Sequence, residues 1–473
     1  MQNVPTRAVA LLLLSILAQP VGAADKTPAP FASSDTPGRI VGAALTESRA
    51  WDKLVHLSDR IGHRLSGSEA LERAIVWAEA EFRKDGADRV WNEKVMVPHW
   101  VRGDEATRIV APVKREMATS TLGGSVGTPQ GGITADVIEI TSMEQLETLG
   151  DKVRGKIVLV NKPIFANGGP DRGYGSGSKL RAHVPSKAGK FGAVGMLIRS
   201  LGTADYRLPH TGALRYTEED PRIPSAAIAA EDAELIHRLL ESGDTVRVRM
   251  ELGAKTLPDA ESANVLAEIR GREKPEEIVV IGAHLDSWDV GSGAHDDGVG
   301  CVAVMEAMRI LARLDLEPRR TIRAVLFTNE ENGLRGGRKY EENYRDEMER
   351  HVAAIETDAG GGRPLGFGVT AGPGAVEMVA RMARPLAAID ADEVTGRGGG
   401  ADISPMKKHG VPQISLRPDT TRYFDYHHSE ADTPDKIDRG DLDRAVAAMA
   451  LMAWSLAESE ETLPRVPPEE KAP

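Results

Sequence analysis

The segment that decides the fold is Ile278–Gly300, which reads IVVIGAHLDSWDVGSGAHDDGVG. Its first residues are apolar and mostly β-branched, which is typical of a buried strand, and the glycines that follow allow the chain to turn tightly. His284, Asp286 and the pair Asp296-Asp297 lie at or beyond the end of the apolar run. In open α/β sheets, binding sites form outside the carboxyl ends of the strands. The segment therefore predicts a strand of an α/β sheet that brings polar side chains to a site.

The residue types in this segment favour a bound metal ion. A buried imidazole and buried carboxylates lose hydration, and the carboxylates repel one another unless a positive charge lies between them. A divalent cation supplies that charge, and histidine nitrogen together with aspartate oxygen suits Zn²⁺. We therefore expect a zinc site at the end of this strand.

Three later segments repeat the arrangement of an apolar run followed by residues that can bind metal. Thr321–Thr328 precedes Asn329-Glu330-Glu331, His351–Thr357 precedes Asp358, and Val411–Leu416 precedes a loop with His427-His428. A single acidic residue after a strand is most often a cap or a solvated charge. Four such segments, spaced as in β-α units, predict that their ends meet at one site.

Together these motifs resemble those of the co-catalytic di-zinc exopeptidases of peptidase family M28. The motifs are His284-x-Asp286, Gly293-Ala-His-Asp-Asp-Gly298, Glu330-Glu331, Asp358-Ala-Gly360 and His428-Ser-x-x-Asp-Thr433. The likeness covers nearly the whole chain after residue 24, including Ile61–Ser68 and Val97–Gly103. His295 departs from the pattern, since Met or Asn often stands there in the family. The ligand positions are unaffected by this departure.

The resemblance implies an α/β fold: a mixed central sheet sandwiched by helices, with an inserted β-rich protease-associated domain. Residues 40–102 and 257–460 are expected to form the peptidase domain, and residues 103–256 the insertion. Residues 25–39, rich in Pro, Ser and Thr, are expected to form a linker. The Pro- and Glu-rich residues 461–473 have the composition of a flexible tail.

The resemblance also implies two zinc ions per subunit, held by His284, Asp296, Glu331, Asp358 and His428. His284 and Glu331 would hold one ion, Asp358 and His428 would hold the other, and Asp296 would bridge both. His428 aligns with the family motif and His427 would point elsewhere, although an exchange of roles between these two histidines stays open. The Asp296-Asp297 peptide bond is often cis in the family.

Catalytic roles follow from the same resemblance. Glu330 would act as the general base that takes a proton from water and returns it to the leaving amine. Asp286, two residues after His284 and hence on the same side of an extended segment, would orient that imidazole through its other ring nitrogen. Arg422 and Tyr423 are candidates for contacting the carboxylate of a dipeptide.

These assignments predict a zinc-dependent exopeptidase that hydrolyses dipeptides or short peptides with free termini, as a dipeptidase or an aminopeptidase. Two alternatives stay open. One is a zinc acyltransferase that cyclises N-terminal glutamine, which usually binds a single zinc ion and lacks such an insertion. The other is a non-catalytic binding protein on a peptidase scaffold, but here all five ligand positions and the base are filled. The expected partners are the peptide substrate and, as an option, a second copy of the chain in a homodimer.

Charge and the first residues bear on partners and location. The 473-residue chain carries a net charge of −12 and no basic stripe, which argues against nucleic acid and anionic membranes as partners.

Residues 1–24 have the pattern of a signal peptide: Arg7, then the apolar run Ala8–Leu17, then the small residues Val21-Gly22-Ala23. We expect export, to the periplasm or the medium, with cleavage near Ala23. The apolar run is too short to span a bilayer, so no stable membrane insertion is expected.

A serine-hydrolase motif competes with the metal assignment. Gly123-Gly-Ser125-Val-Gly127 matches the Gly-x-Ser-x-Gly turn, in which a helix must follow the serine directly. Pro129 and the pair Gly131-Gly132 follow instead, and such residues disfavour a helix. We therefore expect no catalytic serine at this position.

Overall fold

The structure is a computed structural model that describes residues 36–165, 172–204 and 206–466. The predicted signal peptide and residues 25–35 of the predicted linker lie outside these ranges. Within them, no helix combines the length and the apolar character needed to cross a membrane.

One mixed eight-stranded sheet contains all four segments singled out by the sequence. In spatial order its strands are β1 (Arg89–Val101), β10 (Lys255–Ile269), β12 (Arg320–Phe327), β11 (Lys274–His284), β13 (His351–Glu356), β16 (Gln413–Pro418), β14 (Pro364–Thr370) and β15 (Glu393–Thr395). The four neighbours β12, β11, β13 and β16 run parallel. Their carboxyl ends therefore lie at one edge, as predicted from the sequence.

Both faces of this sheet are covered, which explains why its central strands are apolar throughout. Every residue of β12 and β13 is buried. Along β11, Val279 and Ile281 pack into the core on one face, whereas Ile278 and Val280 pack into the core on the other. A strand buried on both sides reads as a continuous apolar run rather than as an alternating one.

Helices form the outer layers. The helices over one face are α1 (Thr36–Glu47), α2 (Ala50–Val55), α3 (Glu69–Lys84), Val299–Arg313, Ala375–Ala383 and Arg439–Glu458. The helix Arg335–Asn343 covers the other face, where Tyr340 packs against Phe327 of β12. Shorter helical turns span His56–Ile61, Ala294–Gly298, Arg345–Arg350, Arg384–Ile389, Ser404–His409, Tyr423–Tyr426 and Pro434–Lys436.

A second eight-stranded sheet is built entirely from residues 105–252. Its order is β3 (Arg115–Met117), β2 (Glu105–Ala111), β9 (Arg247–Leu252), β5 (Ile133–Ile140), β6 (Ile157–Val160), β7 (Gly195–Arg199), β8 (Ser225–Ile228) and β4 (Thr119–Thr121). Helical segments at Met143–Leu149, Gly150–Val153, Tyr174–Lys190 and Ala230–Glu241 accompany it. The chain leaves the first sheet after β1 and returns on β10, and these two strands pair antiparallel from Arg89↔Glu268 to Val101↔Lys255. All eight strands fall within the range predicted for the insertion; its identification as a protease-associated domain stays a prediction.

The two ends of the described chain are more ordered than their composition suggested. The predicted linker 25–39 overlaps α1, which begins at Thr36 and buries Ile40 in the core. In the predicted tail 461–473, Leu463 is buried, and the Arg465 guanidinium donates to the main-chain carbonyls of Met348 and His409, each at 2.9 Å. The amino-acid composition of a segment indicates its low helix and strand propensity, but it cannot predict individual contacts of its side chains with the rest of the protein.

Candidate metal centre and active site

Five side chains converge at the carboxyl edge of the parallel strands. His284 ends β11, and Asp296 lies in the loop after it; Glu331 follows β12, Asp358 follows β13 and His428 lies in the loop after β16. The ligand atoms of His284, Asp296 and Asp358 lie within 4.8 Å of one another, and so do those of Asp296, Glu331 and His428. Asp296 belongs to both groups, as a carboxylate that bridges two metal ions would.

The distances pair the ligands differently from the prediction. His284 Nε2 lies 3.1 Å from Asp296 Oδ1 and 3.5 Å from Asp358 Oδ1. His428 Nε2 lies 3.2 Å from Asp296 Oδ2 and 3.0 Å from Glu331 Oε2. The structure thus groups His284 with Asp358 and His428 with Glu331, whereas the predicted groups were the reverse. The paths of the loops decide this pairing, and sequence spacing does not specify those paths.

The chemistry of this donor set fits divalent cations. Within the described residues, the buried atoms Asp296 Oδ2 and Glu331 Oε1 receive no hydrogen bond. Burial and the neighbouring Asp296 raise the pKa of Glu331 to about 7. Burial, with Asp358 and Glu331 nearby, raises the pKa of Glu330 well above its usual value. A cation between these carboxylates would supply the missing partner and favour their ionised forms.

His427 does not point away from the centre, contrary to the prediction. Its Nε2 also lies 3.2 Å from Asp296 Oδ2, and its ring stacks on His428 with centroids 3.7 Å apart. His428 alone of the pair also contacts Glu331, so the alignment of His428 with the ligand position agrees with the geometry. His210, which comes from the region of the second sheet, stacks on His428 at 4.9 Å. Sequence analysis missed His210 because a lone histidine in a loop carries no motif.

Asp286 supports a different group from the one predicted. The ring nitrogen Nδ1 of His284 contacts the main-chain carbonyl oxygen of Asp286 at 3.0 Å, whereas the Asp286 carboxylate lies 3.8 Å away. That carboxylate instead accepts hydrogen bonds from the main-chain N–H groups of Glu330, at 3.0 Å, and Glu331, at 3.3 Å. Since β11 ends at His284, the alternation of an extended strand no longer places residues 284 and 286 on one side.

Two buried charged residues brace the loops that carry the ligands. The Asp432 carboxylate accepts from the main-chain N–H groups of His295, at 2.6 Å, and Asp296, at 3.2 Å. The Arg64 guanidinium donates to the carbonyls of Leu285, Ser292 and Gly293 at 2.8 to 3.0 Å. Asp432 belongs to the motif His428-Ser-x-x-Asp-Thr433 and Arg64 to the segment Ile61–Ser68, but neither pattern predicted these contacts. The peptide bond between Asp296 and Asp297 is cis, as the resemblance implied.

A cavity of about 770 Å³ opens over the centre. Its lining includes Glu330, and also Tyr423, which is buried. Arg422, the other predicted substrate contact, lines only a smaller neighbouring cavity, which shares Tyr423 with the first but contains none of the five candidate ligands. Its guanidinium lies 3.5 Å from the Asp425 carboxylate and over the ring of Tyr426. The structure therefore brings Tyr423 to the centre but not Arg422.

The competing serine motif has no catalytic geometry. Residues 122–132, all described, contain no helix, and Ser125 is fully buried. Its hydroxyl donates to the carbonyl of Val126 at 2.9 Å and accepts from the main-chain N–H of Ser225 at 2.8 Å. Ser125 thus joins two loops of the second sheet region.

Comparison with known proteins gives consistent matches along most of the chain. The family model described as peptidase family M28 matches residues 264–453. Carboxypeptidase Q of Mus musculus is 38% identical over 419 residues, which cover 89% of this chain and 88% of that protein. Carboxypeptidase Q of Homo sapiens is 37% identical over 419 residues, with coverage of 89% and 87%.

Solved structures agree with these sequence matches. A peptidase M28 precursor from Shewanella amazonensis SB2B superposes with a TM-score of 0.88 at 36% identity, covering 92% of this chain and 99% of that one. A zinc aminopeptidase from Bacillus subtilis superposes with a TM-score of 0.66 at 20% identity, covering 87% and 96%. The second likeness concerns the fold alone.

Proposed function

Because the chain belongs to peptidase family M28 and is a metallo-exopeptidase, we propose that it holds two zinc ions and cleaves dipeptides or short peptides with free termini. The family membership confirms the resemblance stated from the motifs. The match to carboxypeptidase Q over 89% of the chain favours an exopeptidase over the two alternatives, the glutamine-cyclising acyltransferase and the non-catalytic binding protein.

The observation that carries the proposal is the position of Asp296 in both ligand groups. His284, Asp296 and Asp358 would hold one ion, and Asp296, Glu331 and His428 the other. Bound there, the pair of ions would polarise the scissile carbonyl and make a shared water more acidic. Nitrogen and carboxylate oxygen ligands suit zinc. Two neighbouring three-ligand groups that share a carboxylate suit a two-metal site.

Glu330 is the candidate for the proton transfers. Its carboxylate lines the cavity beside the ligands but belongs to neither ligand group. It would take a proton from the attacking water and return that proton to the leaving amine. Burial and the neighbouring carboxylates raise its pKa in the metal-free site, and bound cations would lower it again, toward the ionised form that a base needs. Asp286 positions this base by binding the main-chain N–H of Glu330.

Export is part of the proposal, on the basis of the signal-peptide pattern of residues 1–24. The mature protein would then start after Ala23 in the periplasm or the medium. Sequencing the N-terminus of exported material tests this, and an intact Met1 on that material would contradict it.

Metal analysis of the purified protein tests the zinc centre. We expect close to two zinc ions per chain, as in other two-metal sites. Asp358→Ala and His428→Ala should each hold about one ion fewer and lose activity on a panel of dipeptides, because each removes a ligand of a different ion. A single tightly held ion in the wild type, with both variants unchanged in metal content and activity, would refute the two-zinc assignment.

A further inference from the structure

The cavity over the metal centre has a wall that carries positive charge. Its cationic lining residues are Lys179, Arg181, Arg215 and Arg338. Lys179 lies on the helix Tyr174–Lys190, three residues before Ala182, so both share one face of that helix. The main-chain N–H of Arg215 donates to the carbonyl of Ala182 at 3.0 Å, which places Arg215 beside the same face. Arg338 approaches from the helix Arg335–Asn343 of the first sheet region.

Three of these cations are available to a ligand. Lys179, Arg215 and Arg338 are exposed, and among the described residues their side chains form neither an ion pair nor a hydrogen bond. Arg181 differs because it is buried and donates to the Tyr174 hydroxyl, at 2.9 Å, and to the Thr211 carbonyl, at 3.1 Å. Arg181 therefore supports the wall, whereas the other three face the cavity without a partner.

With both metal ions bound, no net negative charge in the cavity would balance the positive charge of this wall. The acidic lining residues of the cavity are Asp296, Glu330, Glu331 and Asp358. Two divalent ions carry as much positive charge as these four carboxylates carry negative charge. The metal-loaded floor is therefore close to neutral, and the cavity as a whole becomes positive. Such a cavity attracts an anionic group on the substrate.

The size of the cavity favours the C-terminal carboxylate of a short peptide as this anionic group. A cavity of about 770 Å³ is on the order of 10 Å across, within the usual range for small-ligand sites. An extended dipeptide is roughly 7 Å long, at about 3.5 Å per residue. With its scissile carbonyl at the floor, its free C-terminal carboxylate would lie within reach of long Lys and Arg side chains on the wall.

Resting on the two-zinc centre proposed above, we infer that Lys179, Arg215 and Arg338 bind the C-terminal carboxylate of the substrate. These residues thereby favour dipeptides with a free C terminus over blocked or longer peptides. Ion pairs of Arg or Lys with a carboxylate are among the stronger hydrogen bonds in proteins. A peptide extended beyond the cleaved bond places a neutral amide where the carboxylate should lie, and so forgoes these contacts.

Hydrogen bonds tie the main chain of the wall to the loop of His428, so the segments that carry Lys179 and Arg215 have a fixed position beside the proposed metal centre. The main-chain N–H of Thr211 donates to the carbonyl of His428 at 2.9 Å, and that of Thr203 to the carbonyl of Phe424 at 3.0 Å. The ring of Tyr174 stacks on Phe424 with centroids 4.8 Å apart. The second sheet region contributes two of the three cations. It would therefore take part directly in recognising the substrate terminus.

The test compares two substrates, the dipeptide that the wild type cleaves fastest and its C-terminal amide. In the double variant Arg215→Ala/Arg338→Ala, kcat/KM for the free dipeptide should fall by about 10-fold to 100-fold per lost contact. The value for the amide should change by less than about 3-fold, since the amide lacks the charged group. Calorimetric binding of the same dipeptide to zinc-loaded Glu330→Gln protein should weaken in parallel. Lys190→Ala is the matched control, because Lys190 is exposed on the same helix but does not line the cavity.

In contrast to the double variant, the single variant Arg215→Lys should keep most of the wild-type preference for the free dipeptide over the amide. Equal losses on both substrates, or no loss on either, would overturn the inference. So would a zinc-loaded wild type that cleaves the dipeptide and its amide equally well, and that result would leave the proposed function intact. A wild type that binds two zinc ions but cleaves no dipeptide of the panel would instead refute the proposed function.

Discussion

Glu330 and Glu331 are neighbours in the chain, yet their side chains have different surroundings. Glu331 Oε2 lies 3.0 Å from His428 Nε2 and belongs to a ligand group. Glu330 faces the cavity beside that group. The Asp286 carboxylate accepts hydrogen bonds from both main-chain N–H groups and so positions the main chain of both residues.

This difference predicts separate effects of two matched substitutions. Glu330→Gln keeps the size of the side chain but removes the proton acceptor, so zinc content should stay near that of the wild type while kcat falls by ~10²–10⁴. Glu331→Gln should lose both zinc and activity, because a neutral amide is a poorer zinc ligand than a carboxylate. Elemental analysis alongside dipeptide kinetics measures both quantities. If Glu330→Gln released zinc and Glu331→Gln retained it, the two roles would be reversed.

Elements that are buried on both faces could be predicted from the sequence, whereas contacts between distant loops could not. The apolar runs of β11, β12, β13 and β16 indicated buried strands with β-α spacing, and the polar residues after each run predicted that the carboxyl ends of these strands meet at one edge. The pairing of His284 with Asp358 depends on loop paths. His210 and the cationic wall depend on how the second sheet region docks on the loop of His428, and no local pattern encodes that docking.

Packing between helices also depends on two buried ion pairs that share Lys53. Lys53 of α2 contacts Asp85, directly after α3, and its Nζ lies 2.7 Å from Glu306 Oε1 on the helix Val299–Arg313. All three side chains are at most 5% exposed. Removing Lys53 would leave the buried Asp85 without a cationic partner among the described residues, whereas Glu306 would keep its ion pair with Arg309 at 2.8 Å. The contact thus ties three helices together on one face of the sheet.

We expect Lys53→Met to lower the free energy of unfolding by about 3–5 kcal/mol, the usual cost of breaking a buried pair. The control is Lys94→Met, since Lys94 pairs with Glu261 at 2.9 Å on the surface, where the side chains are 79% and 60% exposed. Exposed pairs contribute about 0–1 kcal/mol. Urea denaturation of both variants measures the difference, and similar losses in the two would show that the buried pair adds no special stability.

At the scale of the whole molecule, the proposed active site draws on both sheets. The first sheet would supply the metal ligands at the carboxyl ends of its parallel strands, and the second sheet region would supply the cationic wall beside the loop of His428. The amino ends of those strands lie away from the proposed metal centre. His351, the first residue of β13, is fully buried there. Its Nε2 lies 2.8 Å from the Tyr340 hydroxyl, and its Nδ1 lies 3.0 Å from the Glu347 carbonyl.

His351 should make the stability of the whole protein sensitive to mild acid. Burial, with Arg323 and Arg465 nearby, lowers the pKa of His351 to about 4, whereas an unfolded histidine has a pKa of about 6.5. Between these values the unfolded chain binds the extra proton, so stability is full above pH ~6.5 and declines as the pH falls toward 4, by about 3 kcal/mol at most. His351→Gln can still donate and accept hydrogen bonds but does not titrate. Its free energy of unfolding, measured in urea from pH 7.5 to 4.5 with the same excess of zinc, should therefore decline less steeply than that of the wild type. Zinc release by acid affects both proteins alike, since residue 351 lies at the opposite end of β13 from Asp358. Parallel curves for the two proteins would show that His351 is not the group that titrates.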